Sequence, residues 1–254
     1  MKVIVKTLIC IVAAMTALTS CKKDDTLQYN NATMGNVVDG TFTSDQGNIF
    51  TVVEKNTNAE LEKMKRAFVV CDILKKVEGT ENEYEVRLNG CAEVLTKNPV
   101  EKFDADSDEE MSVNDPINIE YPPYLWIAGG YINMFVSFEI KTGSKTKHLV
   151  NLVYDKEASQ EGQYVFNLRH NSFGESLIYG TADTQLAGNY VSFPITDIIK
   201  DNTAEIIINW TWYKNNGFEW TSETQNYSCK MTYTKGGFEQ APAAIASKAT
   251  TNLN

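Results

Sequence analysis

The sequence predicts an all-β protein built in two parts, and three observations carry that expectation. Along residues 131–140, Ile132, Met134, Val136, Phe138 and Ile140 are all apolar, with Asn133, Ser137 and Glu139 set between them. A period of two puts one face in a core and the other towards water, as in a half-buried strand. Runs rich in β-branched and aromatic residues recur, separated by turn residues such as Asp39-Gly40, Gln46-Gly47-Asn48 and Thr142-Gly143-Ser144. Helical periodicity is almost absent, which leaves a sandwich or barrel as the architecture.

The first element is a leader. Lys2 and Lys6 precede an apolar run over residues 8–18, interrupted only by Thr16. A basic start followed by a run of this length reads as a secretory signal, and it is too short to cross a bilayer. Its ending, Leu18-Thr19-Ser20-Cys21, resembles the lipobox of bacterial lipoproteins. That resemblance implies cleavage after residue 20 and acylation of the Cys21 thiol. Each buried acyl methylene contributes about 0.8 kcal/mol, so several chains on one cysteine anchor a domain stably. Lys22-Lys23-Asp24-Asp25 resembles the tag that directs Bacteroidetes lipoproteins to the outer face of the outer membrane; the plain alternative is a solvated charged linker.

The remaining segments follow in order. Residues 21–32 read as a lipidated polar tether, and residues 33–100 as a compact barrel-sized set of four or five strands, with strands at 49–53, 67–77 and 83–95. Residues 58–65 are helix-like but short enough to be a loop. The stretch Asp104-Ala105-Asp106-Ser107-Asp108-Glu109-Glu110 lacks apolar pattern, so 101–120 reads as an acidic linker. Residues 121–238 read as a second β domain, with strands at 131–140, 149–154, 164–168, 206–213 and 227–233. The small, polar residues 239–254 read as a disordered tail.

Composition narrows the functional classes. The chain carries 23 basic and 33 acidic residues, a formal charge of −10, and loses Lys2 and Lys6 with the leader. Such acidity argues against nucleic acid and anionic membrane surfaces as partners. Export permits disulfides, and a turn near residues 79–82 would set Cys71 roughly opposite Cys91, making a bridge or two free thiols the alternatives. Cys229 reads as a small core residue.

The order of features resembles the NigD-like lipoproteins of Bacteroidetes. The matching residues are Met34-Gly35-Asn36-Val37-Val38, Tyr84-Glu85-Val86-Arg87, Glu93-Val94-Leu95-Thr96-Lys97, Tyr131-Ile132-Asn133, His148-Leu149-Val150-Asn151-Leu152-Val153-Tyr154-Asp155 and Leu168-Arg169-His170-Asn171. The resemblance implies an N-terminal OB-like barrel followed by a C-terminal β-sandwich. It also implies an immunity or accessory role in bacteriocin defence, and it carries over no catalytic residue.

The chemistry-bearing residues point to binding rather than reaction. His148 and His170 sit in no nucleophile motif, and no G-x-S-x-G, HExxH or phosphate-cradling loop is present. No catalytic residue and no cofactor is expected. Asp104, Asp106 and Asp108 imitate the opening of a calcium loop, but Glu109 stands where glycine belongs, so no metal site is assigned. Trp210 and Trp212 continue the face of Ile206 and Ile208 and belong to the core. Trp220, Tyr124 and Trp126 are the candidate ligand contacts, because aromatic faces bind sugars and anchor protein interfaces. Arg169 and His170 read as a hydrogen-bonded corner in preference to a binding patch. The expectation is a lipid-anchored, non-enzymatic protein of the outer membrane surface that binds a partner there, a protein or a glycan not identified by the sequence, with a glycan-binding module of a nutrient-uptake system as the alternative.

Overall fold

The structure, a computed structural model, describes residues 27–119, 124–175, 183–215, 217 and 220–238, and the side chains of these apart from 27–32 and 220. The leader, Cys21, the tag Lys22, Lys23, Asp24 and Asp25, and the tail lie outside the described residues.

Five strands close a barrel: β1 (Leu27–Val38), β2 (Thr41–Ser44), β3 (Ile49–Lys55), β4 (Arg66–Lys76) and β5 (Glu83–Glu93), in the order β1-β2-β3-β5-β4. β3 and β5 run parallel and the other neighbours antiparallel. This is the OB-like barrel, and closure leaves it no open sheet edge. Phe42, Phe50, Val69, Cys71, Val86 and Leu88 fill its interior. Residues Leu61–Lys63 form a 3-10 turn that seats Leu61 in the same core. Gly35 is required where β1 crosses β2: a Cβ there would lie 2.2 Å from the Thr43 carbonyl oxygen and 2.7 Å from the Phe42 ring. β1 begins at Leu27, so part of the stretch expected as tether is strand.

Two sheets form the sandwich. One orders β6 (Leu95–Thr96), β13 (Thr184–Pro194), β10 (Tyr131–Lys141) and β8 (Asn118–Ile119), with β9 (Leu125–Ala128) also paired to β10. The other orders β15 (Trp220–Thr234), β14 (Thr203–Asn215), β12 (Gln163–Asn171), β11 (Leu149–Tyr154) and β7 (Val100–Glu101). The alternating residues of β10 and β14 meet in one core with Leu152, Phe166, Leu168, Phe193 and Tyr233. Trp210 and Trp212 lie in that core, as their alternation required. The opposite face of β10 departs from expectation, since Asn133, Ser137 and Glu139 are buried as well. Asn133 meets an arginine from the barrel, and Asn118 on the adjoining strand bonds Ser137 at 3.4 Å.

The segment read as an acidic linker contributes to this architecture. It holds β7, a short helix α1 (Lys102–Ser107) and β8, and both strands are hydrogen-bonded into the sandwich sheets. A third cluster draws on barrel and sandwich together: Met34 from β1, Val94, Trp126 and Ala128 from β9, and Tyr190 from β13, with Phe68 and Phe135 against them. The two bodies therefore share an apolar core.

Candidate functional site

The centre of this junction is a charge. Arg66 opens β4, and its side chain is wholly buried. Its Nη2 donates to Asp45 Oδ2, and also to Asn133 Oδ1 at 2.7 Å. Nη1 donates to Asn36 Oδ1 at 2.6 Å, and Nε to Ser192 Oγ at 2.9 Å and Asn133 Oδ1 at 3.1 Å. The Tyr131 ring lies 4.8 Å from the guanidinium carbon. Trp126 Nε1 donates to the same Asp45 oxygen at 2.8 Å, and Asn36 Nδ2 donates to Gly129 O at 2.9 Å. A buried ion requires such saturation, because desolvation costs several kcal/mol per charge unless the geometry repays it. Gly129 and Gly130 both take positive φ in the β9–β10 turn, as a two-residue hairpin demands.

Beside the network lies a cleft of about 900 Å³. Phe68, Leu95, Tyr131 and Pro194 give it apolar surface, and Lys65 and Glu93 bring opposite charges. Asn98 and Asn189 add amides to the wall. The cleft sits where the end of β5, the short β6 and the end of β13 meet, so the Arg66 junction fixes its shape.

At the far end of the sandwich a second polar cluster is sealed from water. His148 and His170 are buried, and His148 Nδ1 lies 2.9 Å from His170 Nε2. His170 Nδ1 lies 3.0 Å from the Pro116 carbonyl oxygen. Burial pushes His170 down to about 4, and the neighbouring His148 adds to the shift. Burial lowers His148 too, against the opposing pull of Glu175. The acidic segment is fastened here: Arg169 Nη2 donates to Asp106 Oδ1 at 2.6 Å, Asn171 Nδ2 to Glu110 O at 3.0 Å, and Ser172 N to Asp115 Oδ2 at 2.8 Å. Asp106 is thus engaged by Arg169, and Asp108 Oδ1 accepts the amides of Glu110 and Met111, both at 2.9 Å. Among the described residues no three His, Cys, Asp or Glu side chains are grouped to hold a metal ion. No helix among them is long and apolar enough to cross a membrane.

Residues 99–224 match the family model of the NigD-like C-terminal beta sandwich domain. That segment belongs to the NigD-like family. The match runs from just before β7 into β15, which is most of the sandwich. Solved structures share the fold of barrel and NigD-like sandwich together. A NigD-like immunity protein of Bacteroides caccae superposes with a TM-score of 0.54 at 17% identity, covering 81% of this chain and 96% of that one. A protein of Parabacteroides distasonis designated toxin-related gives 0.56 at 21%, over 82% and 92%. A protein of Bacteroides fragilis designated a lipoprotein gives 0.52 at 15%, over 78% and 96%. No curated protein sequence matches the chain.

Several residues singled out in the sequence land elsewhere than expected. Trp126 is not a ligand platform: it is fully buried, and its indole N–H is committed to Asp45. Tyr124 is half-buried, with its ring centroid 5.9 Å from that of Phe135 at the edge of the shared core. Trp220 opens β15, and its side chain lies outside those described. Cys71 and Cys91 are free thiols, because a register shift after Val70 sets Cys91 opposite Val69 and Cys71 opposite Leu88. Cys229 is a buried free thiol in the core of the NigD-like sandwich. Arg169 and His170 do form a hydrogen-bonded corner. Arg66, Asp45 and the cleft residues Phe68 and Leu95 were not singled out; the one available signal was Arg66 at the head of an apolar strand.

Proposed function

We propose that this chain acts without catalysis, as a lipid-anchored protein of the cell envelope that binds a protein partner at the outer surface. The observation that carries this reading is the contrast between its two polar sites. The histidines, the groups best suited to move protons near neutral pH, are buried and spend three of their four ring nitrogens on structural contacts. The open cleft at the junction instead presents aromatic and aliphatic surface with a few amides and two opposite charges, the composition of a recognition site. Cys21 and the tag Lys22, Lys23, Asp24 and Asp25 supply the anchor and the outward address. Within this reading the chain serves in bacteriocin immunity or as an accessory to it, in keeping with the immunity protein that shares its fold.

The test is a challenge of cells lacking the gene with bacteriocin-containing supernatants from related strains. Greater killing is expected, reversed by the wild type but not by Glu93→Lys or Thr96→Arg, which alter the exposed cleft rim. Equal survival with and without the gene across a broad supernatant panel would remove the immunity role. Full rescue by both rim variants would remove the cleft. The glycan-binding alternative rests on Trp220 and its neighbours, and the Trp220 side chain lies outside those described.

A further inference from the structure

The sealed histidine pair allows one arrangement of protons. A carbonyl oxygen only accepts, so His170 Nδ1, 3.0 Å from Pro116 O, carries a hydrogen. Neutral His170 then has a bare Nε2, which accepts from His148 Nδ1–H across 2.9 Å. Both nitrogens of His170 are committed, one as donor and one as acceptor. A second proton on His170 would land on Nε2 and face the N–H of His148, donor against donor. The rings cannot simply part, because both pack against Phe138, with centroids 4.6 Å and 5.2 Å from it.

This relay ties the end of the loop before β11 to the last residues of β12, just ahead of the turn that follows it. His148 ends the loop before β11, and the hydroxyls of Ser144 and Thr146 in that loop donate to Glu175 Oε1. Glu175 closes the turn after β12, where Ser172 is tied to Asp115. His148 Nε2 and Glu175 Oε2 lie 3.6 Å apart, and neither has a hydrogen-bond partner among the described residues. A first proton can therefore be housed at His148 Nε2, facing the carboxylate. Glu139 from β10 leaves a second buried oxygen without a partner among the described residues, and lines a cavity of about 10 Å³ with Asp115, His170, Glu175 and Tyr213. Among the described residues Asp115, Glu139, Glu175 and Tyr213 are the titratable groups facing the pair from the elements around it.

We propose that the His148–His170 relay is an acid-opened latch: it holds the turn after β12 to the loop before β11, and a second proton, taken from solvent onto His170, releases them. The first proton is accommodated by Glu175, whereas the second breaks the ring-to-ring hydrogen bond. The strong downward shift of His170 agrees with a site that resists that second proton.

Hydrogen exchange on the full chain between pH 7 and pH 3.5, corrected for the intrinsic pH dependence of exchange, reads the latch directly. In the wild type the opening constant of amides 142–148 and 172–175 should rise as the pH falls, by up to about tenfold per pH unit over the range in which the opened latch takes up the proton that the closed one refuses, as one-proton linkage requires. The barrel amides should remain protected over the same range. His170→Gln offers an amide to Pro116 and an oxygen to His148 but takes up no proton, so its loops should stay closed. Loops that open only together with the barrel, or that open at the same pH in His170→Gln, overturn the proposal. Should the variant fail to fold, imidazole nitrogen spectra of the wild type decide: His170 protonated only at Nδ1 at pH 6 supports the latch, and a proton at Nε2 refutes it.

Discussion

Arg66 of the barrel and Asn133 of the sandwich share two hydrogen bonds, from Nε at 3.1 Å and from Nη2 at 2.7 Å to a single Oδ1. The residues are 67 positions apart, and both are wholly buried. Asp45 balances the charge, Trp126 donates to the same carboxylate oxygen, and the cleft opens next to them.

Arg66→Met is expected to be among the most damaging single substitutions. It strands the Asp45 carboxylate in a dry junction, a change that costs about 3–5 kcal/mol. Pairing it with Asp45→Leu removes the stranded charge and should recover part of the loss. Urea unfolding of the two variants measures the difference; a double variant no better than the single one contradicts the pairing.

Trp126→Phe keeps most of the ring but withdraws the indole donor from Asp45. An unmade bond to a buried charged acceptor costs roughly 1–3 kcal/mol, and denaturant unfolding should show a loss in that range. An unchanged midpoint would mean that Asp45 does not depend on the indole.

Acid should erode stability through His170. Its folded value of about 4 lies below its ordinary 6.5, so between those limits the unfolded chain takes up a proton that the folded chain refuses. The stabilisation is complete above pH 6.5 and lost as the pH falls to about 4. The total is on the order of 3 kcal/mol. His170→Gln should flatten this part of the stability-versus-pH curve, and a curve of unaltered slope would count against the assignment.

The thiols should behave as unpaired. Burial pushes Cys71 up to about 12, and Cys91 is shifted upward by the same cause while remaining half-buried. Alkylation of the native protein should label Cys91 slowly and Cys71 only on unfolding, and reductant should leave the melting temperature unchanged. A mass two hydrogens short of the free-thiol form would reveal a bridge instead.

Gly35→Ala tests the closest approach in the barrel. The added methyl meets a backbone oxygen at 2.2 Å, and overpacking of this kind costs about 1–3 kcal/mol. A calorimetric melt of the variant at the wild-type temperature would show that β1 and β2 can move apart freely.

Strands were legible in the sequence wherever apolar residues recur at alternate positions or in short β-branched runs. β10 and β14 show the alternation, β11 the run, and their limits fell close to those expected. β1 was hidden because its first residues, Leu27-Gln28-Tyr29-Asn30-Asn31, are mostly polar. β13 was hidden because Gly188 interrupts its pattern; a Cβ at that position would lie 2.4 Å from the Phe135 ring. The junction was illegible for a different reason. A charged residue reads as surface until its partners are known, and those of Arg66 lie 21, 30, 67 and 126 positions away. The acidic stretch misled in the same way, since its role as a clasp depends on Arg169 and Asn171 on another strand.

Protease shaving of intact cells tests the central claim, a surface-anchored binding protein, most directly. The wild type should be clipped on whole cells, Cys21→Ala should leave the membrane fraction, and alanine at Lys22, Lys23, Asp24 and Asp25 should leave the protein anchored but protected. A wild type that resists protease until the cells are lysed would contradict the account and place its partner in the periplasm.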